Sequence, residues 1–176
     1  MAQNGRMEGL VIRRASERDA EDVSRIRVRS WQWAYRGLMA DSVLDGLSVA
    51  DGVEGWRRGL ARQDRWTWIA ECDGVPCGFA ATGPTTDAAA APGTAEIYAV
   101  YLEPERVGSG VGRELFGTAV RNLRHVGFSR ALLWVLESNE RARRFYGSAG
   151  WTVDGVVKDE DWYGHVIREV RYSIEL

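Results

Sequence analysis

The chain has 176 residues, 45% hydrophobic and 27% charged, with 23 Lys and Arg against 25 Asp and Glu, a formal net charge of −2. That balance describes one ordinary soluble domain with enough chain for a substantial core, and it argues against nucleic acid as a partner. No apolar run reaches the length of a membrane span, and Met1 to Val11 lacks the apolar core of a signal peptide, so a cytoplasmic location without membrane contact is expected.

Leu10 to Arg14 reads as a first strand. Ser16-Glu17-Arg18-Asp19 resembles a capped helix start in which the Ser hydroxyl takes a first-turn N–H; Ala20, Val23 and Ile26 then repeat at helical spacing, so a helix runs from about Glu17 to Arg29 or beyond. A second helix spans Val49 to Ala61 with Val53, Trp56 and Leu60 on one face. Trp66 to Glu71 and Pro76 to Ala81 are strands around the hairpin signal Asp73-Gly74, and Gly83 to Gly93 reads as a mobile loop. Ala95 to Leu102 is the central strand, followed by a glycine turn and a helical pattern from Arg113 to His125, on which Val111, Leu115, Ala119 and Leu123 share a side. Ala131 to Leu136 is apolar throughout, as in a strand covered on both faces. Strand, helix, strand in that order implies a parallel pair. Ser138 or Asn139 caps a short helix to Ser148 that Gly150 ends. Trp151 to Val157 and Val166 to Ile174 are the closing strands, joined by Asp159 to Gly164.

Metal chemistry finds little support. Cys72 and Cys77 flank the hairpin turn and make half a zinc site at most, so they read as small semi-buried thiols. His125 and His165 have no ligand spacing, and His125 suits the C-terminus of its helix, where a cation meets the dipole.

The stretch Val107-Gly108-Ser109-Gly110-Val111-Gly112 carries the most information. Three alternate glycines let a ligand approach the backbone, and the helix that opens there directs its unpaired N–H groups into the same space. Together they form a phosphate cradle. A nucleoside triphosphate loop would need Lys and then Ser or Thr after its last glycine, whereas Arg113-Glu114 follow here. The glycines at 108, 110 and 112 also fit no register of the dinucleotide fingerprint.

With that turn, the order of elements from the first strand to the closing pair resembles the GNAT superfamily of N-acetyltransferases over nearly the whole chain, most strongly from Ala95 to Trp151. The family's pyrophosphate motif falls on Val107 to Gly112, where Val107 replaces the usual Gln or Arg. Asn139-Glu140-Arg141-Ala142-Arg143-Arg144-Phe145-Tyr146, then Gly150-Trp151, resembles its second cofactor motif. Ser30 to Leu38 is similar to segments of bacterial members.

The resemblance implies a single α/β (α+β) domain over 8–176, with 1–7 as a flexible N-terminus. It implies a mixed, mostly antiparallel twisted sheet with a splayed parallel pair, flanked by helices. The implied donor is acetyl-CoA, with no metal. Its pantetheine arm would pair with the backbone of Val100, Tyr101 and Leu102, its pyrophosphate would lie on Val107, Gly108, Ser109, Gly110, Val111, Gly112 and Arg113, and Asn139 would contact the arm near its amides. Tyr146, also in contact with the cofactor, matches the family's general acid beside the CoA sulfur, and Glu96, the one carboxylate inside the central strand, falls where relatives keep a general base. Transfer to an amine requires loss of the amine's proton, donors for the oxyanion and protonation of the departing thiolate. Water alone is the alternative to Glu96 as base.

The acceptor, a primary amine of a small molecule or peptide, would attack directly in a ternary complex. It would enter past Trp31, Trp33, Tyr35 and Arg36 on one side and Trp162 and Tyr163 on the other, with Glu160 and Asp161 available to attract a cation. Eight Trp residues are many for this length, and aromatic walls suit a flat or cationic amine. Two other readings stay open: a noncatalytic acyl-CoA-binding or sensing domain, and a nucleotide-binding α/β protein. The sequence leaves monomer and homodimer both open.

Overall fold

A computed structural model describes residues 9–176; the expectations for segment 1–7 and for a domain start at residue 8 lie outside the described residues. Seven strands form one sheet: β1 (Leu10–Arg14), β2 (Trp66–Cys72), β3 (Val75–Pro84), β4 (Thr94–Leu102), β5 (Arg130–Leu136), β6 (Thr152–Trp162) and β7 (His165–Glu175). Their order is β1-β2-β3-β4-β5-β7-β6, and every neighbouring pair is antiparallel except β4 with β5. The helices are α1 (Ala20–Ala34), α2 (Asp41–Asp45), α3 (Val49–Leu60), α4 (Val111–His125) and α5 (Glu140–Ser148). The mixed, mostly antiparallel sheet with one parallel pair is the architecture expected.

Turn chemistry sets the two hairpins. Asp73 and Gly74 both have positive φ, 53° and 78°, the pattern of a type I′ turn that matches the strand twist. Tyr163 and Gly164 do the same at 56° and 82°, closing β6 onto β7 with Trp162 opposite His165. The expected loop from Asp159 to Gly164 is therefore strand up to Trp162. The acidic run 159–161 is poor in strand formers, but it pairs across the ladder, and Arg168 Nε meets Asp159 Oδ1 at 2.8 Å. The loop expected from Gly83 also starts later, because β3 continues to Pro84. It is pinned at Asp87, whose carboxylate lies 2.6 Å from Arg171 Nη1. The five-residue α2 was not legible as a helix, being too short to show a period.

The central strand carries one extra residue. Ala81 pairs with Ala99 and Thr82 with Ile97, so Tyr98 has no opposite number in β3. Such a bulge bends a strand and reverses its side-chain alternation. Before it, Ala95 and Ile97 pack against Phe116, Val120 and Leu123 of α4. After it, Val100 and Leu102 face α4, while Tyr98, Ala99 and Tyr101 lie on the opposite face toward α1 and α3. On the β5 side, β4 pairs only at Thr94, Ala95 and Glu96, whereas β5 stays paired to β7 as far as Leu136. Beyond Glu96 the parallel strands part, and a gap opens in the sheet.

The first helix is seated by charge as well as by burial. Val23 and Ile26 are fully buried against Ile69 and Phe79. At its start a 3-10 turn, Glu17–Asp19, precedes α1, and Ser16 and Asp19 cap it as a reciprocal box. Asp19 Oδ2 accepts from Ser16 N–H at 2.7 Å and from Ser16 Oγ at 3.1 Å. Arg13 Nη2 donates to Asp19 Oδ1 at 2.7 Å and Arg13 Nη1 to Oδ2 at 3.0 Å. The Arg13 hydrogen bonds, against the opposing effect of burial, hold the Asp19 carboxyl at about 2. Because this value lies below that of the unfolded chain, the stabilisation is complete above about pH 4 and is lost as pH falls from about 4 toward 2. Asp19→Asn should therefore cost about 1–2 kcal/mol at neutral pH. Urea melts should show the variant and the wild type converging as pH falls through that window.

Candidate active site

The glycine turn and the parted strands face one space. Gly110 is the N-cap of α4, with φ at 94° and no side-chain cap, and Gly108 has φ at 82°. The nearby backbone bonds run from Val107 N–H to Pro104, from Ser109 to Arg106, and from Arg113 and Glu114 to Gly110. The N–H groups of Gly108, Gly110, Val111 and Gly112 donate to no backbone or side-chain acceptor among the described residues. Four idle donors at the positive end of a 15-residue helix make an anion site. A Cβ at Gly112 would come within 3.1 Å of Leu102 Cδ1, so glycine there keeps the turn close to β4.

Two cavities occupy the two sides of the gap. The larger, about 660 Å³, lies between the glycine turn, α5 and α1. The smaller, about 380 Å³, lies on the opposite face of the sheet, between α1 and the strands β4 to β7. Five residues line both: Ser30, Val100, Arg141, Ala142 and Tyr146. Tyr146 is thus the phenol at the junction, packed on Phe116 with ring centroids 5.6 Å apart. Burial pushes its pKa well above the usual tyrosine value, so it holds its proton at neutral pH.

The floor of the smaller cavity follows the period of two along each strand. Glu96 of β4, Trp134 of β5, Glu169 of β7, and Lys158, Glu160 and Trp162 of β6 all face it. Its roof is the α1 stripe Arg27, Trp31, Ala34, together with Tyr35 at the C-cap. Glu96 Oε2 accepts from Thr85 Oγ1 at 2.8 Å, and Thr85 Oγ1 accepts in turn from Asp87 N–H at 3.1 Å. The pinned loop therefore orients this carboxylate. Lys158 Nζ lies 2.6 Å from Glu160 and 3.2 Å from Glu169. Burial raises the Glu169 carboxyl above the usual range against the opposing charge of Lys158.

The profile of the Acetyltransferase (GNAT) family matches residues 22–151. The chain belongs to this family. It is an N-acetyltransferase, and the family's donor is acetyl-CoA. An uncharacterized N-acetyltransferase of Bacillus subtilis, YuaI, is 29% identical over 131 residues, covering 74% of this chain and 73% of its own. An uncharacterized N-acetyltransferase of Archaeoglobus fulgidus is 33% identical over 138 residues, covering 78% and 89%. The PaiA N-acetyltransferase of Thermoplasma acidophilum, solved in complex with coenzyme A, shares the fold with a TM-score of 0.72 at 22% identity, over 95% of this chain and 99% of that one.

In this acetyltransferase the sequence-derived site residues divide between the cavities. Val100, Leu102, Val107, Gly108, Gly110, Gly112, Arg113 and Trp33 line the larger one. Glu96, Tyr101, Asn139, Trp31, Tyr35 and Trp162 line the smaller one. Trp33 thus lies on the glycine-turn side rather than with Trp31. Asn139 faces the opposite cavity from the turn, and its Oδ1 accepts from Ala142 N–H at 3.1 Å as the cap of α5. Ser109 Oγ donates back to the Arg106 carbonyl, and Val111 is buried beneath the turn. Arg36 lines neither cavity and pairs with Asp41 and Asp45. Tyr163 sits exposed in the β6–β7 turn. Trp31 and Trp162 stack on each other at 4.8 Å and 15°, forming an aromatic end wall.

Arg27, Trp134, Lys158 and Glu169 also line the smaller cavity, and no motif in the sequence marks them. The period-two pattern of β6 and β7 would have placed the last two beside Trp162 had the acidic run been read as strand. Among the described residues no three metal-ligating side chains cluster, and no helix is long and apolar enough to cross a membrane.

The left-handed backbone at Gly110 supplies a direct check. Gly110→Ala should destabilise the fold by roughly 1–2 kcal/mol and weaken CoA binding, because an L side chain resists that conformation. Gly59→Ala, at an open position within α3, should instead gain up to about 1 kcal/mol and leave CoA affinity unchanged. Urea titration and calorimetry with CoA read both.

Proposed function

We propose that acetyl-CoA lies in the larger cavity, that a primary amine enters the smaller one, and that the two meet at Tyr146. One observation carries this reading: β4 and β5 separate after Glu96, and a single phenol lines both resulting cavities. Acetyl-CoA supplies an acyl group already activated as a thioester. Every other step belongs to the chain.

The idle amides of Gly108, Gly110, Val111 and Gly112 take the pyrophosphate oxygens, with the guanidinium of Arg113 on the same cavity wall. The backbone edge of Val100 to Leu102, unpaired on the β5 side, offers the donors and acceptors that an extended pantetheine arm needs. These contacts call on backbone groups and require no side chain at Val107.

An amine reaches the site largely protonated and must shed a proton before it can attack. Glu96, held by Thr85 on the floor of the smaller cavity, accepts that proton, directly or through one water. Tyr146 gives its proton to the sulfur as charge develops there and recovers one from the nitrogen that has been acylated. The amine nitrogen thus loses two protons, one to Glu96 and one through Tyr146 to the thiol, and the balance closes. A phenol whose pKa is raised by burial is a reliable donor at neutral pH, because it does not ionise between turnovers.

Tyr146→Phe should lower kcat by roughly 10²-fold with CoA affinity nearly kept, and unchanged turnover in a thiol-release assay would remove Tyr146 from the chemistry. Glu96→Gln should be slow at neutral pH and should approach wild-type rates at alkaline pH, where the amine deprotonates unaided. A deficit independent of pH would assign Glu96 a structural part instead.

A further inference from the structure

The smaller cavity is electrically divided. Its floor holds three carboxylates, Glu96, Glu160 and Glu169, against one cation, Lys158. Lys158 is committed to Glu160 and Glu169, and the partner of Glu96 is the neutral hydroxyl of Thr85. The roof and rim are the reverse. Arg27 stacks on Trp31, its Cζ 4.2 Å from the ring centroid, and Arg141 stacks on Trp33 at 3.9 Å. Neither guanidinium has a carboxylate within 4 Å among the described residues, although most arginines elsewhere on the surface of this chain are paired.

We propose that the acceptor is a small zwitterion, an amine that carries its own carboxylate, of amino-acid size. The inference rests on the reading of this cavity as the acceptor side. A simple cationic amine would meet two uncompensated guanidiniums on its way in, and a simple anion would meet the carboxylate floor. A molecule with both charges satisfies each wall at once. Its ammonium group sits over Glu96, the group assigned to take the proton, and its carboxylate points back to Arg27.

The stacking matters for the second contact. Arg27 rests its guanidinium carbon 4.2 Å from the Trp31 ring centroid and donates no hydrogen bond among the described residues, so its N–H groups remain available to pair bidentately with a carboxylate. The stack also holds the side chain in place before the ligand arrives, which reduces the ordering cost of binding. Burial lowers the pKa of Arg141, as expected for a partly desolvated cation without a counter-charge. At about 380 Å³ the cavity falls at the lower end of small-ligand clefts, about 300–1,000 Å³, which suits one residue better than a peptide chain. Arg141 also borders the larger cavity, so Arg27 is the residue that discriminates.

The test compares each common amino acid with its carboxamide and its decarboxylated amine in a thiol-release assay with acetyl-CoA. Accepted amino acids should exceed both analogues by about tenfold or more in kcat/KM. Arg27→Gln should raise KM for the amino acids by a similar factor, lower it for the cationic analogues by removing an opposing charge, leave CoA affinity unchanged, and so erase the preference. Arg27→Lys, which keeps the charge but not the fork, should restore it in part. Analogues used as well as the acids, or a preference that survives Arg27→Gln, would overturn the proposal. Calorimetric titration of the CoA-loaded protein with the same compounds separates the two claims. Amino acids that bind, in an Arg27-dependent way, without releasing thiol would sink the transferase mechanism and keep the zwitterion site. Amine acetylation with no such dependence would do the opposite, and no binding or turnover of any amino acid would remove the site.

Discussion

The separation of β4 from β5 is the constraint on which this site depends. Parallel pairing lasts for three residues and ends at Glu96, just before the unpaired Tyr98 bends β4 away. A continuous ladder would have satisfied the backbone of Val100 to Leu102 and sealed the sheet. Left open, that edge costs free energy unless another hydrogen-bonding partner or water meets it. The fold tolerates this because β4 remains paired to β3 on both sides of the bulge and β5 to β7 throughout, so each strand is anchored on its far side. The bulge also reverses the side-chain alternation, which puts Glu96 and Tyr101 on one face with α1 and Val100 and Leu102 on the other with α4.

Helices on both faces then define what the gap can hold. On one side α4 begins at a left-handed glycine with four N–H groups uncommitted, so the helix dipole and the donors act on the same volume. On the other side α1 lies across the floor of strands, held at its start by Arg13 and Asp19 and at mid-length by Arg25 and Arg29 on the buried Glu103. Glu103 follows directly on β4, so the ion pairs tie the roof of the smaller cavity to the strand that bends. Glu103 is buried while both arginines stay partly exposed, so these pairs fix the position of the helix more than they add strength.

The electrostatics of the two sides differ in kind. Backbone amides and a helix terminus dominate the glycine-turn side, and neither titrates. Side chains dominate the opposite side, where Glu169 and Lys158 are held by burial and by each other, and where the Tyr35, Tyr101 and Tyr146 phenols are all pushed up by burial. A side built from backbone facing a side built from side chains follows from the topology. The turn needs only glycine and a helix, whereas the other wall draws on β4, β5, β6, β7 and α1.

Local chemistry made much of this legible in the residues themselves. Alternate glycines before an amphipathic helix announce an anion cradle, Asp-Gly announces a hairpin, and Asn139 announces a cap, because each is a contact between neighbours in the chain. The family resemblance rested on those same local signals. Arg36 and Tyr163 adjoin site residues in the sequence, and the fold turns both outward. Arg27 gives no local signal, and Lys158 and Glu169 give only the masked strand period. They meet only because β6, β7 and α1 converge, and a strand written in acidic residues hides its period. What the sequence determined alone were features that one segment decides through its own backbone, such as the glycine turn, the Asp-Gly hairpin and the Asn139 cap. Tertiary structure decided where the sheet opens and which charges share a cavity, because strand pairing and desolvation are properties of segments brought together from far apart in the chain.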